Sequence, residues 1–422
     1  MFKRVPGIRD ILPEECISWQ EIEKTSRTVF SLYNYQEIRL PLIEDAALFN
    51  RSLGETAEIV QKQMFLIKNK EDLYALRPEG TASIVRAYIE NNLDKSAGFA
   101  KFYYLGPMFR LERPQKGRLR QFHHIGCEAI GSSDTDLDVE IISLADNLLQ
   151  KIGISGYKIK INSLGCAKDK AGLSAALQKA LKDKTEKLCA DCKVRFSKNT
   201  LRILDCKNEF CQEIVRKIDL GDAYLCADCK AHFKRVKSGL DALKINYELA
   251  PYLVRGLDYY TRTVFEITHA ELGAQDALGA GGRYDNLVKE LGGPDLGAMG
   301  FAFGVERLLL VHSSKFIVQS KSKIVYLITL GEQAKEAGQR ILQDLRNNDI
   351  ACDTDYTGKS LKGAMRAAND TGARYVFILG EDELKKGVVT LKDMESGEQK
   401  EVKKSDLINA LSSDSQLLTP NS

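Results

Sequence analysis

Five cations, Arg110, Arg113, Lys116, Arg118 and Arg120, fall within eleven residues of the stretch FRLERPQKGRLRQFHHIGCE (109–128), and those eleven hold a single acid, Glu112. Guanidinium groups at that density suit a polyanion, because each planar fork matches a phosphate bidentately. The flanking runs are apolar and strand-like. Residues i and i+2 of a strand share a face, so Arg110 and Glu112 are expected to point one way. Phe122, His124, Gly126 and Glu128 do the same on the returning strand. Paired as a hairpin, the two arms would carry a guanidinium, two carboxylates, a ring and an imidazole on one face. Such a face can hold a nucleotide, with arginine on a phosphate, phenylalanine stacked on the base and a carboxylate on an exocyclic amine. The loop tip, with Arg113, Gln115, Lys116 and Arg118, is left to meet a second polyanion. A solvated basic hairpin is the plainer reading of the same residues. No GxxxxGK[ST] loop and no GxGxxG after a strand occurs, so a bound nucleotide would rest on side chains and strands.

A second group is sulfur. Of ten cysteines, six follow the spacing C-x₂-C-x₁₃-C-x₄-C-x₁₄-C-x₂-C from Cys189 to Cys229. Two CxxC pairs supply the chelating turns of tetrahedral thiolate sites, so structural zinc is expected. The expected ligands are Cys189 and Cys192 closing with Cys226 and Cys229. Alternatively they close with Cys206 and Cys211, leaving the last pair unfilled or near His232. Six reduced thiols without metal are the other reading. The surrounding segment has few large apolar residues, so a metal would add stability that its core lacks.

These groups sit in a chain of 422 residues with a net charge of only +3, so a polyanion must be met by local patches. No run of about 18 apolar residues exists, and neither a membrane nor DNA is expected as a partner. The start, MFKRVPGIRDILPEE, lacks an apolar signal core and carries acids early. Together with clustered cysteines this points to a reducing compartment, the cytoplasm.

The positioning elements read as an α/β chain. Residues 14–33 carry an apolar stripe at helical spacing, and EIRLPLIED (37–45) is an extended run interrupted by Pro41. LYALRPEGTASIVRAYIEN (73–91) reads as strand, turn and helix, with Thr81 as N-cap. Residues 102–112 and 121–131 are strands, 136–153 a helix, and GYKIKINSLG a strand. Residues 167–246 are Lys- and Cys-rich and helical, and read as an insertion. DLGAMGFAFGVERLLLVH (295–312) runs from a small-residue strand into a helix. Beyond residue 323, strands alternate with helices, which implies a small, partly parallel sheet.

FRLE, the basic loop and RQFHHIGCE resemble motif 2 of the class II aminoacyl-tRNA synthetases. GAMGFAFGVERLLL, with Arg307, resembles motif 3, and RLPLIED, with Pro41, resembles motif 1. LRPEGTA (76–82), VRGLDYYTRTVFE (254–266) and GAGGRYDNL (279–287) are similar to the segments that mark the histidyl-tRNA synthetases within that class. The six segments span most of the chain in the family's order.

The resemblance implies an antiparallel sheet flanked by helices over 1–322, the helical insertion at 167–246 contacting the tRNA acceptor arm, and an anticodon-binding α/β domain at 323–422. It implies a ligase that joins histidine to AMP from ATP and passes it to the 3′ end of tRNA(His), as a homodimer through motif 1, with Mg²⁺ on the outer phosphates. Arg110 and Arg255 would grip the α-phosphate, Arg307 the γ-phosphate end, Glu112 the adenine amine and Phe122 its ring. Glu128 and Tyr260 would read the imidazole, Glu79 and Thr81 the ammonium, and Tyr259 and Tyr284 would line the pocket. The family usually has glutamine where this chain has His124, so a neutral His124 is expected to accept the hydrogen bond, with a pH response near 6.5. The loop residues Arg113, Gln115, Lys116 and Arg118 would meet tRNA. An inert regulatory paralogue of the family typically lacks the full RGLDYYTRT segment and the last domain, both present here. Synthetases for proline, threonine or glycine lack the imidazole-reading segments.

Overall fold

The basic stretch is the turn of a hairpin whose arms, Ala100–Phe109 and Gln121–Ile130, pair antiparallel from Ala100↔Ile130 to Phe109↔Gln121. The computed structural model describes residues 2–54, 57–96, 98–115, 117–218, 220, 222–312 and 324–411. They fall into two compact units, on either side of the 316/317 boundary.

The strands of the first unit are β1 (Gln36–Glu37), β2 (Ile43–Asp45), β3 (Phe65–Asn69), β4 (Asp72–Leu76), β5 (Ala100–Phe109), β6 (Gln121–Ile130), β7 (Lys158–Ser163), β8 (Glu248–Leu249), β9 (Thr261–Thr268), β10 (Ala277–Arg283) and β11 (Ala298–Gly304). Eight of them form one sheet in the order β1-β5-β6-β11-β10-β9-β7-β8, antiparallel except at its two edges. A separate sheet has the order β2-β4-β3. Pro41 has no N–H to give a ladder, and the extended run 37–45 is accordingly split between β1 and β2.

Helices Pro13–Leu32 and Thr135–Ile152 cover one face of the large sheet. The second is capped by Asp134, which accepts from Asp136 N, and ends on Gly153 in the left-handed region. Its buried stripe, Leu137, Ile141, Leu144, Leu148 and Leu149 among others, meets Phe265, Phe301 and Phe303 of the sheet in the larger core. The opposite face carries a second core with Tyr104, Tyr259, Tyr260 and Tyr284, against helix Thr81–Glu90. Polar groups collect on that side.

Residues 167–246 are helical: Ala167–Leu181, Ala190–Lys198, Glu209–Arg216 and Ala227–Ala242, with 3₁₀ turns between. The buried core of their first part is small, namely Leu181, Leu188, Ile203 and Val215 with Cys192, Cys206 and Cys211.

The second unit has β12 (Val325–Thr329), β13 (Cys352–Thr354), β14 (Tyr375–Leu379), β15 (Val388–Asp393) and β16 (Gln399–Lys403), in the order β13-β12-β14-β15-β16. β12 is parallel to β13 and β14, and the last two strands are antiparallel. Helices Glu332–Asn347 and Leu361–Asp370 supply the crossovers.

Candidate active site

A cavity of about 710 Å³ opens on the tyrosine-bearing face of the large sheet, lined by β6, β10 and β11, the 254–260 loop, the 79–81 turn and part of the insertion. Among the described residues six arginines line it, including the three expected from sequence to meet phosphate, Arg110, Arg255 and Arg307. The Nε of Arg110 donates to Pro78 O at 2.9 Å, and its guanidinium lies over the Phe122 ring, 5.2 Å from the centroid. Arg307, two residues into helix Val305–His312, donates to Gly117 O (3.0 Å), Gln275 O (3.3 Å) and Ala277 O (2.5 Å). Withdrawal from water lowers Arg110 to about 10 and lowers Arg307 as well. Arg255 differs. It pairs with Glu266 at 2.5 Å, and that carboxylate raises its pKa against the cost of desolvation.

At the other end are carboxyl groups and phenols. Glu79 is buried, and its two oxygens accept from Thr81 N (2.7 Å) and Ala82 N (2.8 Å). Burial raises its pKa. Thr81 is therefore not the N-cap expected from sequence. Gly80 holds that position, and Glu79 satisfies the free N–H groups in its place. That frees the Thr81 hydroxyl to donate to Glu128 Oε1 at 2.7 Å, while Tyr284 donates to Oε2 at 2.5 Å. Glu128 is 1% exposed, and burial pushes its carboxyl up to about 8. Its carboxylate reaches across Gly300, which lines the cavity; a Cβ there would stand 1.8 Å from Oε2. Gly300 thus makes room for the carboxyl rather than for a nucleotide. Gly281 is equally committed, since its Cβ would lie 2.4 Å from Gly300 O.

Several expected positions shift. β5 ends at Phe109, so the i, i+2 rule does not hold Arg110 and Glu112 on one strand face; both line the cavity from the loop. Glu112 is buried and ion-paired with Arg118, which thus turns into the cavity instead of standing at the loop tip. Arg113 and Gln115 are exposed, and Lys116 lies outside the described residues. Tyr259 and Tyr260 line the cavity with ring centroids 4.6 Å apart, whereas Glu128 and its hydrogen-bond partner Tyr284 stand behind the lining residues. His124 lines the cavity, and desolvation, followed by Arg110 and Arg307, lowers it to about 3. The imidazole is neutral at physiological pH, so the pH response expected near 6.5 does not come from this group. Sequence reasoning passed over Tyr104, which lines the cavity from β5, and Glu266, the partner of Arg255. Both lie in segments already singled out, FYYLGPMFRLE and VRGLDYYTRTVFE. The alternation along each strand was the available signal.

A family model described as histidyl-tRNA synthetase matches residues 7–308. The chain belongs to the histidyl-tRNA synthetase family. A second model, an anticodon binding domain, matches residues 324–414. The chain is 46% identical over 408 residues to the histidine–tRNA ligase of Halothermothrix orenii, covering 96% of this chain and 97% of the relative. It is 46% identical over 406 residues to that of Thermodesulfovibrio yellowstonii, with 96% and 97% covered. The apo S. aureus histidyl-tRNA synthetase superposes with a TM-score of 0.80 at 33% identity, over 97% of this chain and 99% of that one.

Within this synthetase fold the cysteines group in the second of the two arrangements that the spacing left open, not the first. The ligand atoms of Cys189, Cys192, Cys206 and Cys211 lie within 4.8 Å of one another, whereas Cys226 and Cys229 belong elsewhere. The two CxxC pairs open two different helices, and only the first packs into the small insertion core. Cys189 and Cys206 have Sγ atoms 3.8 Å apart, and the backbone N–H groups of Cys189 and Asn208 donate to Cys211 Sγ (3.3 Å) and Cys206 Sγ (3.4 Å). Amide donors aimed at sulfur favour thiolates. His232 approaches Asp138 (3.7 Å) instead of any cysteine.

Proposed function

We infer that this chain charges tRNA with histidine: it activates L-histidine with ATP to histidyl-adenylate and pyrophosphate, then transfers histidine to the 3′ end of tRNA(His). The observation that carries the reading is the pairing of whole-chain similarity to histidine–tRNA ligases with a cavity that has arginines at one end and buried carboxyls at the other.

In the first step the histidine carboxylate attacks the α-phosphorus and the bond to pyrophosphate breaks. The amino acid is itself the nucleophile, so the protein contributes position and charge stabilisation. Arg110 and Arg255 take the α-phosphate and Arg307 the γ-phosphate end. Phe122 stacks on the adenine and Glu112 accepts from its amine. Glu128 and Tyr260 read the imidazole, supported by Tyr284 behind Glu128. Glu79, Thr81 and the neutral His124 hold the ammonium. Side chains without an imidazole would leave these buried groups unpaired, which is the basis of rejection. Asp276, and Glu266 with the oxygen that Arg255 leaves open, line the cavity as oxygen donors that would hold Mg²⁺, which would supply charge neutralisation at the outer phosphates.

The exposed Arg113 and Gln115 would meet the tRNA acceptor end, as Lys116 is expected to from sequence, with Arg118 nearer the adenylate. We assign residues 1–322 to catalysis, the insertion at 167–246 to the acceptor arm, and 323–422 to the anticodon. A homodimer would cover the exposed apolar side chains Leu42, Ile43, Leu66, Ile67 and Leu73 around the β2-β4-β3 sheet. Cys189, Cys192, Cys206 and Cys211 hold structural zinc. None of the ten cysteines is in a disulfide, which fits a reducing compartment such as the cytoplasm. Histidine-dependent ATP–pyrophosphate exchange tests the reading, with the other amino acids as controls. Exchange driven equally by another amino acid, or by none, would overturn it.

A further inference from the structure

Three helices of the insertion start on one local plan: CAKD at 166–169, CADC at 189–192 and CADC at 226–229. In each, the first residue is the N-cap and the fourth lies three positions into the helix. Two donor groups are thereby brought to a helix end whose free N–H groups favour negative charge. The middle start serves the four-thiolate group. The other two face one another: ligand atoms of Cys166, Asp169, Cys226 and Cys229 all lie within 4.8 Å of each other.

Asp169 is 4% exposed and Cys229 2% exposed. Among the described residues no salt bridge reaches Asp169; its oxygens accept from Cys226 N (3.0 Å) and Cys166 N (3.2 Å). A buried carboxylate beside three thiols, with no cationic side chain paired to it, is a donor set that lacks its positive charge. Each carboxylate oxygen has a second lone pair for a metal. Tetrahedral zinc holds sulfur at about 2.3 Å, so its ligands stand roughly 3.8 Å apart, a contraction that small side-chain rotations supply.

We propose that Cys166, Asp169, Cys226 and Cys229 form a second zinc site, distinct from the four-thiolate group, that fastens the entry of the insertion to its exit. Cys166 follows β7, and Cys226 opens the helix that returns the chain to β8, so one ion ties both roots of the insertion to the core sheet. Binding is balanced by loss of the three thiol protons to solvent, with Asp169 entering as carboxylate. Thiolates at three of four positions select zinc over magnesium or calcium. The next residue, Lys170, donates to Asp258 O (2.8 Å) and Tyr260 O (2.9 Å), which places this site directly behind the segment that carries Tyr259 and Tyr260.

The inference does not rest on the proposed reaction, and metal content tests it without an activity assay. Full-length protein purified without chelator should hold two zinc ions per chain by elemental analysis. Cys226→Ser should lose one of them. Asp169→Cys should keep two and, in the cobalt-substituted protein, raise the thiolate-to-cobalt charge-transfer absorbance by about one seventh, as seven thiolates become eight. If Cys226→Ser does not fold, the Asp169→Cys comparison still decides. One zinc or none in the native protein would overturn the proposal, as would a cobalt spectrum unchanged by Asp169→Cys.

Discussion

At the end of the cavity proposed to take phosphate, Arg110 and Arg307 are held by backbone carbonyl oxygens; at the end proposed to take the amino acid, Glu79 and, behind the lining, Glu128 are held by amide N–H and hydroxyl groups. Both ends use neutral hydrogen-bond partners, so no ion pair ties up these groups. They differ in what burial does to that charge. A guanidinium lowered to about 10 is still fully ionised at neutral pH. A carboxyl raised to about 8 is mostly protonated there. The phosphate end is therefore a fixed charge, and the amino-acid end is a titrating one. Arg255, paired with Glu266, stands between the two schemes.

The largest effect that would break this comparison lies at Arg255, between the two ends. Arg255→Ala should fold and bind histidine, yet lose roughly 10²–10³ in pyrophosphate exchange, since one donor to developing charge is removed. Near-normal exchange would mean that Arg255 does not face the α-phosphate. At the titrating end, Glu128→Gln should raise the KM for histidine by about 10–100-fold, the range for leaving a buried polar group without its partner. The KM for ATP should hardly move. Equal changes in both constants would remove the division between the ends.

Outside the cavity the expected effects are smaller. Arg113→Gln combined with Lys116→Gln should weaken tRNA binding several-fold and flatten its salt dependence by about one to two units of slope. Adenylate formation should be untouched. An unchanged salt slope would place the tRNA elsewhere.

The hairpin, the strand–helix turn of β11 and the α/β pattern of the second unit were legible from periodicity, and the three arginines from local motif. What could not be read was layering. Alternation puts Glu128 on the right side of the sheet, but it does not place Tyr284, which follows β10, behind it. Nor does an N-cap preference for threonine foresee that Glu79 takes both amide groups. Counting cysteines joined two CxxC pairs that open separate helices. The missing partners, Cys166 and Asp169, form a pair whose fourth residue is an acid, so a search for CxxC alone passes over them. The burial that moves Glu128 and His124 in opposite directions in proton affinity is likewise a property of the assembled cavity.

The titrating end is tested most directly by the dissociation constant of histidine from about pH 6 to 8.5, for the native protein and Glu128→Gln in parallel. Histidine loses its own imidazole proton near 6.5, and Glu128 loses its proton near 8. Between these values the pair holds one shared proton, and binding should be tightest. Below, the free imidazole is already protonated beside a protonated carboxyl; above, the shared proton is gone and a buried carboxylate is left without it. Glutamine does not titrate, so the variant removes the upper limb while retaining every titration of the substrate. The expected result is an affinity of the native protein that falls as pH rises through 8 relative to the variant. Parallel profiles through pH 8 would contradict a protonated Glu128 at the base of the histidine pocket.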